Sequence, residues 1–124
     1  MMKQLLTATV LCLTVLSFST VWAHGDAKAK HGGVVATASD FGFELVATAT
    51  GAALYVEDHG KPMAPNGLSG KLTVLNGTEK SEAALVVSGA RLEAQGVKLG
   101  PGAKVVAAIT TAEKKAITVR FKVK

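Results

Sequence analysis

The chain has 124 residues, 14 Lys and Arg against 9 Asp and Glu, and a formal net charge of +5. That length supports one domain with a real core and is too short for two. A single Cys excludes an internal disulfide and any metal site built from several thiolates.

Residues 1–23 have the three parts of a secretory signal peptide. Lys3 supplies the positive start, Leu5 to Val21 is apolar with scattered Thr and Ser, and Val21-Trp22-Ala23 sets modest or small residues before a cleavage site. The apolar run is too short and too rich in hydroxyls for a membrane span, which needs about 20 predominantly apolar residues. Cys12 lies inside it behind Leu11, not behind the small residue of a lipid-attachment signal, and is read as incidental. Cleavage after Ala23 removes 23 of the 124 residues and leaves 101, with no Cys and, Lys3 being gone, a net charge of +4. An exported domain without cysteine is held by packing alone, which points to the bacterial periplasm, with no membrane contact expected after cleavage. Export also argues against nucleic acid as a partner for the basic residues.

Residues 24–33 read as a short flexible tail. Ala27 to Lys30 alternates small and cationic residues, and Gly32-Gly33 separates it from the first strand, Val34 to Thr37. Ser39-Asp40 is a turn signal. Phe41 to Thr48 follows with Phe43, Leu45 and Ala47 on one face, and Ala52 to Glu57 turns Leu54 and Val56 inward and Tyr55 and Glu57 outward. This is period-two patterning. Asp58-His59-Gly60-Lys61-Pro62 reads as a loop, because Pro62 cannot donate to a ladder.

Strand pattern resumes from Leu68 to Leu75, and Asn76-Gly77 signals a hairpin into Glu79 to Val87. Gly89 allows a bend into Arg91 to Ala94. After Gly100-Pro101-Gly102 comes Lys104 to Thr111, apolar enough to be expected buried on both sides. The last strand sends Ile117, Val119, Phe121 and Val123 inward and Thr118, Arg120, Lys122 and Lys124 outward. Lys114, Lys115, Arg120, Lys122 and Lys124 read as a solvated face that discourages edge pairing. Seven or eight short strands without a helix predict an all-β, immunoglobulin-like sandwich over residues 34–124.

Catalytic motifs are absent from the sequence: there is no nucleophile elbow and no glycine loop that cradles phosphate. A binding protein is expected, not an enzyme. The residues with ligand chemistry are His24, His31 and His59, with Glu57 and Asp58 beside the last. Cleavage after Ala23 makes His24 amino-terminal, so its free amine and ring nitrogen can chelate one ion in a closed ring. A third nitrogen from His31 or His59 completes the T-shaped or square arrangement that Cu(II) favours, so copper is the preferred ion, with Zn, Ni and Co as the alternatives. The opposing reading makes His24 and His31 polar spacers and His59 a solvent-facing turn residue.

Three stretches carry a resemblance: His31-Gly32-Gly33-Val34-Val35, Phe43-Glu44-Leu45-Val46, and Leu54-Tyr55-Val56-Glu57-Asp58-His59-Gly60-Lys61-Pro62. The pattern resembles small exported proteins of bacterial metal-resistance systems and the amino-terminal β-domain of periplasmic adaptor subunits of heavy-metal efflux pumps. It is more distantly similar to periplasmic copper-resistance β-sandwiches, whose amino-terminal histidine ligates Cu(II) with a later acidic-x-His pair. His24 and Glu57-Asp58-His59 are the matching positions. The resemblance implies a periplasmic metal-binding or metal-handover accessory, copper preferred, beside an efflux-pump component. The competing expectation is a metal-free module that docks on an envelope partner through a strand edge or the basic final strand. A third is an accessory domain for an enzyme encoded elsewhere.

Overall fold

A computed structural model describes residues 28–124. The expected signal peptide at 1–23, its cleavage after Ala23, and His24 lie outside the described residues. The described chain is all-β and forms nine strands: β1 (Val34–Ala38), β2 (Phe41–Ala47), β3 (Gly51–Asp58), β4 (Lys61–Pro62), β5 (Ser69–Asn76), β6 (Glu79–Ser88), β7 (Arg91–Gln95), β8 (Lys104–Thr110) and β9 (Ala116–Lys122). Eight are the strands that the alternation predicts. The ninth, β4, corrects the expected count: Lys61 and Pro62 pair with Asp58 and Glu57 at the margin of β3. Pro62 is tolerated there because an edge position needs no donor on its outer side.

Turn chemistry accounts for the hairpins. Ser39 and Asp40 both have positive φ, 50° and 67°, between the paired Ala38 and Phe41, the requirement of a two-residue type I′ turn. His59 and Gly60 repeat this with φ of 52° and 82° between Asp58 and Lys61. The stretch expected to be a loop is therefore a tight hairpin with an imidazole at its tip. Asn76 is the last residue of β5, opposite Glu79, so Gly77 and Thr78 form the turn there. Its side chain instead accepts from the Gly100 N–H at 3.1 Å and donates to the Lys98 carbonyl at 2.9 Å.

The strands follow one nearly closed order, β1-β2-β3-β7-β6-β5-β8-β9, with β4 beside β3. β6 belongs to both layers. Its first part, through Leu85, pairs with β5, and Val86 to Ser88 pair with β7. β1 and β9, the ends of the path, lie against each other and nearly close it. Phe43, Leu45, Leu54 and Val56 from one layer meet Leu72, Val74, Ile109 and Val119 from the other in a single core. Full burial of a side chain of this kind contributes about 1.5–3 kcal/mol.

β8 departs from expectation. Val105, Ala107 and Ile109 are buried, but Lys104, Ala108 and Thr110 are exposed. Its apolar appearance came partly from alanines, which an open sheet face accepts at little cost. β9 alternates as predicted, with Ile117, Val119 and Phe121 buried between exposed neighbours.

Candidate functional site

The alternation of β2 sends Phe43 and Leu45 into the core, so Glu44 must leave by the other face. It is nonetheless 6% exposed, because the chain before β1 doubles back over it. The reversal uses two glycines for two reasons. Gly32 has φ of 74°, where a side chain is strained. Gly33 lies so near β2 that a Cβ there would collide with the Leu45 carbonyl and the Val46 side chain.

The Glu44 carboxylate then accepts three backbone donors. Lys30 N–H donates to Oε1 at 2.8 Å, His31 N–H to Oε2 at 2.8 Å with Oε1 at 3.1 Å, and Gly33 N–H to Oε2 at 2.8 Å. Near-successive N–H groups converging on one anion form a nest. Burial by itself pushes the Glu44 carboxyl up, but the Gly33, Lys30 and His31 donors and the nearby His31 ring outweigh it, and the pKa is lowered. The carboxylate form is the one this clasp holds. Lys30 to Gly33, the end of the expected tail, is thereby laid on the sheet.

The clasp fixes two side chains. The Lys30 ammonium sits 2.7 Å from a Glu57 carboxylate oxygen and 3.4 Å from the Gly60 carbonyl. The His31 ring stacks on Tyr55, with centroids 3.7 Å apart and planes 10° from parallel. Tyr55 has a second partner in Arg91. Arg91 donates to its hydroxyl at 2.8 Å, lies 5.7 Å from the ring centroid, and bonds Glu93 through Nε at 2.9 Å and a terminal nitrogen at 2.7 Å. The Tyr55 hydroxyl and then the Glu93 carboxylate raise the Arg91 pKa, so the guanidinium stays charged.

The five expected ligands are therefore distributed as follows. His24 lies outside the described residues. Glu57 is occupied by Lys30. His59 is exposed at the hairpin tip with Nδ1 2.5 Å from Asp58 Oδ1. A carboxylate only accepts, so Nδ1 is the donor in this contact, and in the neutral ring Nε2 is the nitrogen without a proton. His31 lies flat on Tyr55. The chain that carries His31 touches the His59 hairpin through Lys30 and Gly60, but no group of three or more His, Cys, Asp or Glu suited to a metal is gathered among the described residues.

Glu44, Lys30, Tyr55 and Arg91 were not singled out in the sequence. The available signal was a lone acid inside the apolar strand Phe41–Ala47, preceded by a glycine pair. Alternation alone reads such an acid as solvent-facing. Comparison of the chain with protein-family models, with curated proteins and with solved structures gives no match.

Proposed function

We propose that the protein is a periplasmic, transition-metal-binding or metal-handover accessory of a metal-resistance or efflux system, with Cu(II) as the preferred ion over Zn, Ni or Co. Its scaffold is a variant of the immunoglobulin-like sandwich in which β6 joins the two layers. One observation carries the reading. Glu44 anchors Lys30 against Glu57 and Gly60, next to His59. An extended chain of six residues spans about 20 Å, so the length between Lys30 and His24 is enough for His24 to meet His59 or His31. Tethering of this kind raises the effective concentration of one ligand at another.

The donor set fits a nitrogen-seeking ion. After cleavage, the His24 amine and ring nitrogen supply two linked donors, and His59 Nε2 supplies the third, with His31 as the alternative. Asp58 then orients the His59 ring, as carboxylates commonly do for ligating histidines, and Glu57 holds Lys30. Such a site binds and releases an ion without a catalytic step.

Mass spectrometry of the exported protein should find His24 at the amino terminus. Titration of that protein with Cu(II) and Zn(II), by calorimetry and copper d–d absorption, should show Cu(II) bound more tightly than by free histidine. One residue added before His24, and separately His59→Ala, should each weaken it. Binding no tighter than the free amino acid overturns the reading.

A metal-free docking module is the second reading. Val86 is 60% exposed and Val87 38%, and both line an open groove with Ala83, Ala84, Glu93 and Gln95 where β6 parts from β7. Before Val86 the two strands no longer pair, and a strand edge exposed in this way can accept an extended peptide.

A further inference from the structure

The outer face of the β6-β5-β8-β9 layer has a chemistry of its own. Directly paired residues of antiparallel strands share a face. The pairs Leu75–Lys80, Leu75–Lys104 and Lys104–Lys122 therefore set four side chains in one row across four strands. Arg120, paired with Val106, stands in the next row. Lys104, Arg120 and Lys122 are exposed, and none of the ion pairs among the described residues includes them. Glu82, on the same face, is already shared by Lys71 and Lys80 at 3.3 Å each.

Lys104 opposite Lys122 is a like-charge cross-strand pair, which opposes folding unless an anion lies over it. In the middle of this row Leu75 is 37% exposed. The unpaired cations Lys104, Arg120 and Lys122 stand side by side on the neighbouring strands β8 and β9, on an exposed sheet face beside Leu75, which suits an extended anionic surface. A leucine flanked by lysines, whose apolar stems can lie along it while the ammonium groups reach outward, has the composition of an interfacial contact.

We propose that this face docks on the anionic headgroups of a lipid bilayer, with Lys104, Arg120 and Lys122 on phosphates and Leu75 entering the headgroup layer. The proposal replaces the expectation of no membrane contact. It rests on the β6-β5-β8-β9 layer alone and is independent of metal. Docked in this way, the protein turns the opposite layer, with Glu44, His31 and His59, toward water.

The test is co-sedimentation, without metal, with vesicles of equimolar phosphatidylglycerol and phosphatidylcholine and with vesicles of phosphatidylcholine alone. The protein should sediment with the anionic vesicles, be released by salt, and stay in solution with the neutral ones. Each lysine close to an anionic surface contributes about fivefold, so Lys104→Gln with Lys122→Gln should weaken partitioning by about 25-fold. Lys114→Gln with Lys115→Gln removes the same charge from the β8–β9 turn and should have a much smaller effect. Leu75→Ala should weaken partitioning at unchanged charge. Thermal unfolding of each variant confirms that it is folded. Equal losses in the two double variants would show a net-charge effect and overturn the proposal, as would equal sedimentation with both vesicles. No sedimentation with either would also overturn it and favour an acidic protein partner.

Discussion

Replacing Glu44 by Gln changes little in size but removes the charge and one of the two acceptor oxygens. Three N–H groups, those of Lys30, His31 and Gly33, converge on this carboxylate at 2.8 Å. Hydrogen bonds to a charged group contribute about 1.5–3 kcal/mol each when well buried, and roughly 1 kcal/mol is a better figure where released donors can turn to water. Gln satisfies at most one or two of the three donors, and only as a neutral acceptor. The expected loss is about 2–3 kcal/mol, felt by the segment more than by the strands. Amide hydrogen exchange should therefore show protection of these three amides falling by roughly 30- to 150-fold, with the β3 and β5 amides nearly unchanged. Tyr55 is the chain's single tyrosine, and release of the stacked His31 ring should alter its near-ultraviolet circular dichroism. If a folded Glu44→Gln protein keeps both the amide protection and the Tyr55 signal, the carboxylate is not what holds the segment.

The same clasp depends on pH with a definite sign. The folded-state pKa of Glu44 is lowered, so its contribution is complete above the unfolded value near 4.3 and is lost as pH falls through the lower folded value. Exchange protection of the three amides, corrected for intrinsic rates, should decline in that acid window and not near neutrality. Gly33→Ala should destabilise by about 1–3 kcal/mol in urea unfolding, because its Cβ meets the Leu45 carbonyl. Gly32→Ala meets no atom within 4 Å and should cost only the strain of its left-handed backbone, about 1 kcal/mol. Leu72→Ala, at a site with no exposure, should lower the urea-unfolding free energy by about 2–5 kcal/mol.

Strand positions were legible because this chain alternates cleanly. Phe43 and Leu45, and Ile117, Val119 and Phe121, are buried as the period-two reading requires. Turn positions were legible for the same local reason, since Ser39-Asp40 and Gly60 are residue types that tolerate positive φ. What escaped was non-local. The clasp joins Glu44 to donors 11 to 14 positions earlier, and backbone N–H groups have no signature in the side-chain sequence. The division of β6 between two layers likewise depends on Leu85 and Val86 facing different partner strands, which no property of those two residues encodes. β8 was misjudged because Ala108 counts as apolar in a pattern yet costs little on an open face. The histidines were legible as chemistry. Their separation was not, since the stacking of His31 on Tyr55 and the capture of Glu57 by Lys30 both follow from the reversal at Gly32-Gly33.

The sharing of β6 between the layers also bears on how the chain reaches its structure. β6 meets both of its neighbours through tight hairpins, as do β1 with β2, β2 with β3, and β8 with β9. Most ladders can therefore zip from a turn outward, each closing a short loop at small entropic cost. Two pairings, β3 with β7 and β5 with β8, join these local units. The central meander β5-β6-β7 supplies a strand to each, so it acts as the template on which the two outer units assemble. The folding rate should then respond most to substitutions that weaken this meander. The contact of β1 with β9 links the ends of the sheet path and forms last, because it requires all three units to be in place.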